Sequence, residues 1–191
     1  MMNTRLELDG LPMAVSRRAT WAGLSDAQLL AQCEVDTYRA SGPGGQKRNK
    51  TSSAVRVRHP ASGLIVIAEE SRSQHENRAR ALRRLRQALY LKVRDDLAPE
   101  ERTPEALLAR GDYREARDSQ GRLHLGRKDP RFWPAVGVVL DVLQSLAARV
   151  GETAVALGLS TGNLIDFLQS DDKVWEQANH LRSRFGQKPL R

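Results

Sequence analysis

A chain of 191 residues with a single cysteine has room for one or two small domains and a true core, but not for an internal disulfide or a cysteine zinc cluster. Its longest apolar stretch, residues 136–146, is broken by Asp141 and Gln144 and cannot span a bilayer, and Glu7 and Asp9 interrupt any secretory leader, so a cytoplasmic protein is expected. The net charge is +8, and residues 39–94 carry 14 basic against 3 acidic side chains while the rest of the chain is close to balanced, which points to a polyanionic partner such as nucleic acid.

In chain order, residues 1–19 read as an N-terminal extension. Ser25 and Gln28 have the spacing of a capping box and open a short helix to about residue 32. Residues 33–40 alternate apolar with polar, predicting a half-buried strand with Cys33 as a small buried residue on it. A second strand is expected over 54–59, with Val55 and Val57 opposed to Arg56 and Arg58. The Pro60-Ala61-Ser62-Gly63 turn then leads to a third strand over 64–69. This hairpin predicts a sheet that is apolar inside and cationic outside. Ser73 and Glu76 form a second capping box, opening a helix to about residue 97, with Leu82, Leu85, Leu89 and Val93 as its buried stripe. Together these elements make a small α+β domain over residues 20–98, a mixed sheet with a covering helix.

Residues 99–128 read as a polar connector with one short helix, started by Thr103-Pro104-Glu105 and stopped by Gly111; His124 stands alone as a surface residue. Residues 129–191 read as a small all-helical C-terminal domain. The stripe Val136, Val139, Leu140, Leu143, Leu146, Ala147 and Val150 predicts one long helix stopped by Gly151. Shorter helices are expected over 152–157, 161–169 and 171–185, the last with Asp171 and Asp172 in its first turn, where the helix dipole favours them. The 156–165 segment has the outline of a helix-turn-helix. The domain is electrically neutral, however, a poor basis for gripping duplex DNA, and none is expected as a partner.

The most informative segment lies between the first two strands. Ser41-Gly42-Pro43-Gly44-Gly45-Gln46 combines residues that set backbone conformation and permit close approach to a ligand. Lys47, Arg48, Asn49 and Lys50 follow at once, suited to holding a phosphate backbone. There is no Ser/His/Asp pattern and no metal-ligand spacing beside this loop, and neither a metal nor a cofactor is expected.

Residues 36–87 run from Asp-Thr-Tyr-Arg-Ala-Ser-Gly-Pro-Gly-Gly-Gln, through Asn-Lys-Thr-Ser-Ser-Ala-Val-Arg-Val-Arg-His, to Ser-Arg-Ser-Gln-His-Glu-Asn-Arg-Ala-Arg-Ala-Leu. Three motif blocks in this order resemble the catalytic (GGQ) domain of class I peptide chain release factors and its small relatives, the codon-independent peptidyl-tRNA hydrolases of ribosome rescue. The resemblance implies that Gly44, Gly45 and Gln46 enter the peptidyl transferase centre and promote hydrolysis of the ester between peptide and tRNA. The Gln46 backbone N–H would stabilise charge on the leaving 3′ oxygen, and its side chain would admit and orient water. An aminoacyl ester is already activated, so placing water and stabilising charge are enough, without a strong base. Lys47, Arg48, Asn49, Lys50, Arg56, Arg58, Arg72, Arg78 and Arg80 would bind large-subunit ribosomal RNA, with peptidyl-tRNA as substrate.

Two departures qualify that reading. Lys47-Arg48 replaces the histidine and small residue usual after the glutamine, and 191 residues leave no room for codon-reading domains. The C-terminal end is only mildly basic, whereas short rescue hydrolases often carry a long basic tail. The expected activity is therefore codon-independent release of chains from stalled ribosomes, with a possible protein partner for residues 129–191. The alternatives are a non-catalytic ribosome- or rRNA-binding factor and a DNA regulator using the 153–169 region.

Overall fold

The computed structural model describes residues 17–39 and 53–191. Two short helices, α1 (Arg17–Gly23) and α2 (Asp26–Ala31), precede strand β1 (Glu34–Tyr38). Strands β2 (Ala54–His59) and β3 (Leu64–Ala68) follow, and helix α3 (Gln74–Lys92) crosses the sheet. The capping box at Ser25 is present, with both reciprocal bonds made to Gln28.

The chain adopts the α+β class expected, with a helical C-terminal region. The sheet itself, in the order β1-β2-β3, is antiparallel throughout rather than mixed, because each neighbouring pair is joined as a hairpin. Val55, Val57, Ala68, Ala81, Leu82 and Leu85 close a core between the sheet and α3, with Leu29 of α2 at its edge. Cys33 precedes β1 and is only half-buried; its Sγ donates to the Leu29 carbonyl, and burial pushes the thiol up.

The outer face of the sheet corrects the cationic surface expected from the sequence. Register sets Glu34 opposite Arg58 and Asp36 opposite Arg56. Arg56 Nη2 lies 2.7 Å from Asp36 Oδ2, and Arg58 Nη1 lies 3.2 Å from Glu34 Oε2. On the other side of the same arginines stand Ile67 and Ile65, both exposed. The face is thus an acid–base–aliphatic ladder, with its two arginines paired.

Helix α3 ends at Lys92, short of the expected residue 97, because Val93 turns into extended backbone as its cap. A 3₁₀ turn (Pro99–Arg102) then leads to α4 (Pro104–Ala109) and α5 (Gly111–Arg114), so Gly111 opens a second helix in this segment. Leu107, Tyr113, Ala116 and Leu123 from residues 99–128 are buried in the same cluster as the C-terminal helices. The Tyr113 hydroxyl donates to the Leu157 carbonyl at 2.6 Å, and burial pushes its phenol up to about 12.

The long helix expected through Val150 is instead two. Helix α6 (Phe132–Ser145) stops where Ala147 and Ala148 take φ of 49° and 56°, and α7 (Val150–Ala156) begins beyond them, with Gly151 inside it. Apolar periodicity carries no record of such a break, because both helices bury the same stripe. Helices α8 (Thr161–Gln169) and α9 (Asp172–Arg184) complete the chain; Asp171 caps α9, its carboxylate accepting from the Lys173 and Val174 amides.

A buried ionic cluster joins the two cores. Arg18, within the segment read as an extension, is 1% exposed and reaches Asp141 of α6 with Nη1 at 2.8 Å and Nη2 at 2.5 Å. Arg94 Nη1 meets the same carboxylate at 3.1 Å, and the Asp95 amide donates to it at 3.2 Å. Burial pushes the Asp141 carboxyl up and lowers the Arg94 guanidinium to about 10, each opposed by the partner's charge. Gly137 makes room: a Cβ there would stand 2.6 Å from Arg18 Nε.

Candidate functional site

Tyr38 pairs with Ala54, so the segment joining β1 to β2 leaves and re-enters the fold at one end of the sheet. Gly44, Gly45, Gln46, Lys47, Arg48, Asn49 and Lys50 belong to that segment and lie outside the described residues. The fold does describe the stem that carries them.

The stem is gripped from two sides. On the β1 side, the Tyr38 hydroxyl donates to Glu69 Oε2 at 3.3 Å, and burial followed by the Glu69 charge pushes that phenol up. On the β2 side, Ser53 is buried and its carbonyl accepts from Asn77 Nδ2 at 2.7 Å. The same Nδ2 donates to the Ser71 carbonyl at 2.8 Å, while Asn77 Oδ1 accepts from the Ser71 amide at 3.0 Å. Asn77 is fully buried, and these bonds spend both amide hydrogens and the oxygen.

The turn from β3 into α3 supports that grip. Ser73 caps α3 by accepting from the Glu76 amide, its own amide donates to Ser71 Oγ at 3.1 Å, and Ser71 Oγ donates to Glu76 at 2.6 Å. Arg84 donates to both the Ile67 carbonyl and Glu70, and this bond holds the Glu70 carboxyl below the usual carboxylate range. The three motif blocks therefore meet at one point: the end of β1, the start of β2, and the β3–α3 turn.

The described arginines divide into two groups. Arg56, Arg58 and Arg80 are ion-paired, Arg80 with Glu70 and Glu76 at 4.0 and 3.9 Å. Arg72 and Arg78 are exposed, Arg72 in the β3–α3 turn and Arg78 early in α3 on the side that faces Asp26 and Leu30 of α2, with no described carboxylate within 4 Å. Sequence reasoning singled out all five alike, and it passed over Asn77, Tyr38, Ser53 and Ser71. The capping box expected at Ser73 and Glu76 is only half made, since the Ser73 amide and the Glu76 carboxylate both turn to Ser71 Oγ; the usable signal was Asn77 itself, four residues after the Ser73 cap, where a side chain can turn back under it.

Among the described residues, no group of three His, Cys, Asp or Glu is placed to hold a metal, and no helix is long and apolar enough to cross a membrane. The helix-turn-helix outline is occupied from within. Asn163 near the start of α8 accepts from the Leu123 amide and donates to the Leu123 carbonyl, so residues 122–126 lie against that helix.

The RF-1 domain model matches residues 29–124, which hold the whole stem, the segment it carries and α3. The chain belongs to the RF-1 domain family. It is 58% identical over 60 residues to peptide chain release factor 2 of Acidithiobacillus ferrooxidans, covering 31% of this chain and 16% of that protein. Against peptide chain release factor 2 of Bordetella avium the figures are 48% over 77 residues, 40% and 21%. Peptide chain release factor 1 of Salinibacter ruber is 34% identical over 126 residues, 60% of this chain and 35% of that one. The chain thus spans between 16% and 35% of the length of these relatives. The resemblance drawn from the three motif blocks is borne out, while α6 to α9 lie beyond the matched domain.

Proposed function

We propose that this RF-1 domain protein hydrolyses peptidyl-tRNA in the peptidyl transferase centre of the ribosome, releasing nascent chains without reading a codon. The observation that carries this reading is the matched domain itself, with Gly44-Gly45-Gln46 inside it, on a stem held by a buried asparagine. Gln46 supplies the donor that stabilises the leaving oxygen and orients water; one preorganised donor of this kind is worth roughly 3–4 kcal/mol, or about 10²–10³ in rate. The ribosome supplies the remaining walls of the site, and the reaction takes place on cytoplasmic ribosomes.

In this reading the unit around the sheet and α3, within residues 20–98, is catalytic, and residues 129–191 select the target together with residues 99–128, whose buried side chains share their core. Lys47, Arg48, Asn49, Lys50, Arg72 and Arg78 hold ribosomal RNA, with Arg56, Arg58 and Arg80 contributing less because acids already neutralise them.

The deciding experiment measures release of labelled peptide from ribosomes stalled on a truncated message, ribosomes halted at a stop codon, and isolated large subunits. Codon-independent hydrolysis gives release on the truncated message and its loss in Gln46→Ala. Binding without release by the wild type on all three substrates would replace this reading with a non-catalytic ribosome-binding factor.

A further inference from the structure

A cleft of about 890 Å³ runs between β3, α3 and α9, outside the stem. Its α3 wall presents Arg84 and Lys92, and its α9 wall presents Lys173, His180 and Arg184, with Glu176 as the lone carboxylate among the lining residues. Lys173, Glu176, His180 and Arg184 fall at positions i, i+3, i+7 and i+11, a single face of α9. At about 1.5 Å rise per residue, that row extends roughly 16 Å along the cleft.

Of the cleft's cations, Arg84 is paired with Glu70, as Arg56 and Arg58 of the sheet and Arg80 and Arg86 of α3 are each paired with a carboxylate within 4 Å. Lys92, Lys173 and Arg184 are exposed and have no such described partner, so like charges face each other across a concave surface. Low-dielectric walls focus that field outward and favour a negatively charged occupant. Four of the cleft's charged or titratable side chains, Lys173, Glu176, His180 and Arg184, come from α9, beyond the matched domain.

We infer that this cleft binds the phosphate backbone of single-stranded RNA, giving the chain a second RNA contact separate from the Gly44-Gly45-Gln46 segment. The inference rests on the ribosome being the protein's partner and names the surface by which the C-terminal helices engage it. A positively charged groove that follows a backbone is the general form of sequence-independent strand binding.

The test uses the full chain and a fluorescein-labelled dodecauridylate, with anisotropy measured between 50 and 200 mM KCl. A K92Q/K173Q/R184Q variant is compared with R114Q/R122Q/R149Q, which removes the same charge elsewhere. Three lost phosphate contacts make the salt slope shallower by about 2. The cleft variant is expected to show that change with at least about a tenfold loss of affinity at low salt, and the comparator neither. Equal behaviour of the two variants overturns the inference, as does RNA binding like that of the wild type. It is also overturned if the cleft variant loses binding to labelled dodecaglutamate and not to RNA, which would make the partner an acidic protein. Peptide release by the wild type and by Gln46→Ala is read separately, so failure of the cleft and failure of the hydrolase reading remain distinguishable.

Discussion

Asn77 holds the main chain of Ser53 from within α3, its Nδ2 lying 2.7 Å from the Ser53 carbonyl with no exposure to water. One side chain thereby fixes where the Gly44-Gly45-Gln46 segment returns to the sheet. Asn77→Ala leaves one buried and two part-buried backbone groups without this partner and should cost about 2–4 kcal/mol, a fully buried orphan contributing roughly 1–3 kcal/mol before relaxation. Asn77→Asp should be worse at neutral pH, since a carboxylate oxygen would face two carbonyls. Denaturant unfolding checks both variants, and equal stability of Asn77→Ala and wild type would remove this role.

Arg18 and Asp141 form a pair that breaks asymmetrically. Asp141→Ala strands two buried guanidiniums, Arg18 and Arg94, and is expected to lose about 3–5 kcal/mol, while the double variant Arg18→Met/Asp141→Leu should recover only part of that loss, because Arg94 and the Asp95 amide still lack their acceptor. Gly137→Ala ordinarily gains about 1 kcal/mol in a helix. Here it should destabilise, because the added methyl meets Arg18 at 2.6 Å. Thermal melts of the four proteins test the set, and a stabilised Gly137→Ala would contradict it.

His59 is buried at the end of β2, with Nδ1 2.8 Å from Ser62 Oγ and the Trp21 ring edge-on at 5.0 Å between centroids. Burial lowers its pKa below the ordinary value of 6.5. The unfolded chain therefore takes up the proton first: stability from this group is complete above pH 6.5 and is lost as pH falls through the lowered folded value. Melting temperature should drop as pH falls below 6.5, and more weakly in His59→Gln. The same slope in both proteins would show that other groups set it.

Charge removal should separate the arginines that the sequence treated as equals. Arg72→Gln or Arg78→Gln is expected to weaken binding to large ribosomal subunits several-fold, reducing the salt slope by about 0.7–0.9 per lost contact. Arg56→Gln should have a smaller effect, because Asp36 already neutralises Arg56 at 2.7 Å. Salt-dependent filter binding makes the comparison, and a larger loss for Arg56→Gln would reverse the assignment.

Within the Gly44-Gly45-Gln46 segment, Gly45→Ala adds a methyl group beside Gln46 and should lower peptide release by about 10²-fold or more, as loss of preorganised geometry does. Ribosome affinity should change little. Parallel measurements of release and binding decide the point; an equal fall in both would make Gly45 a binding residue instead.

Local chemistry was enough to place the strands near residues 34–38, 54–59 and 64–68, the capped starts of α2, α3 and α9, and the glycine-rich segment on which the functional reading turns. These features depend on neighbours a few residues apart: alternation, cap spacing and turn composition. Pairing across distance was not available in that form. Glu34 beside Arg58, Asn77 beneath Ser53 and Arg18 against Asp141 bring together residues 24 to 123 positions apart. The break at Ala147 and Ala148 also escaped, since α6 and α7 share one apolar stripe that a single helix would satisfy equally well. The chain's own order thus determined what kind of segment carries the chemistry. Only the tertiary fold decided which cations stay unneutralised and which side chain holds the stem, because charge pairing and burial are set by proximity in space, and hairpin register and helix packing create that proximity.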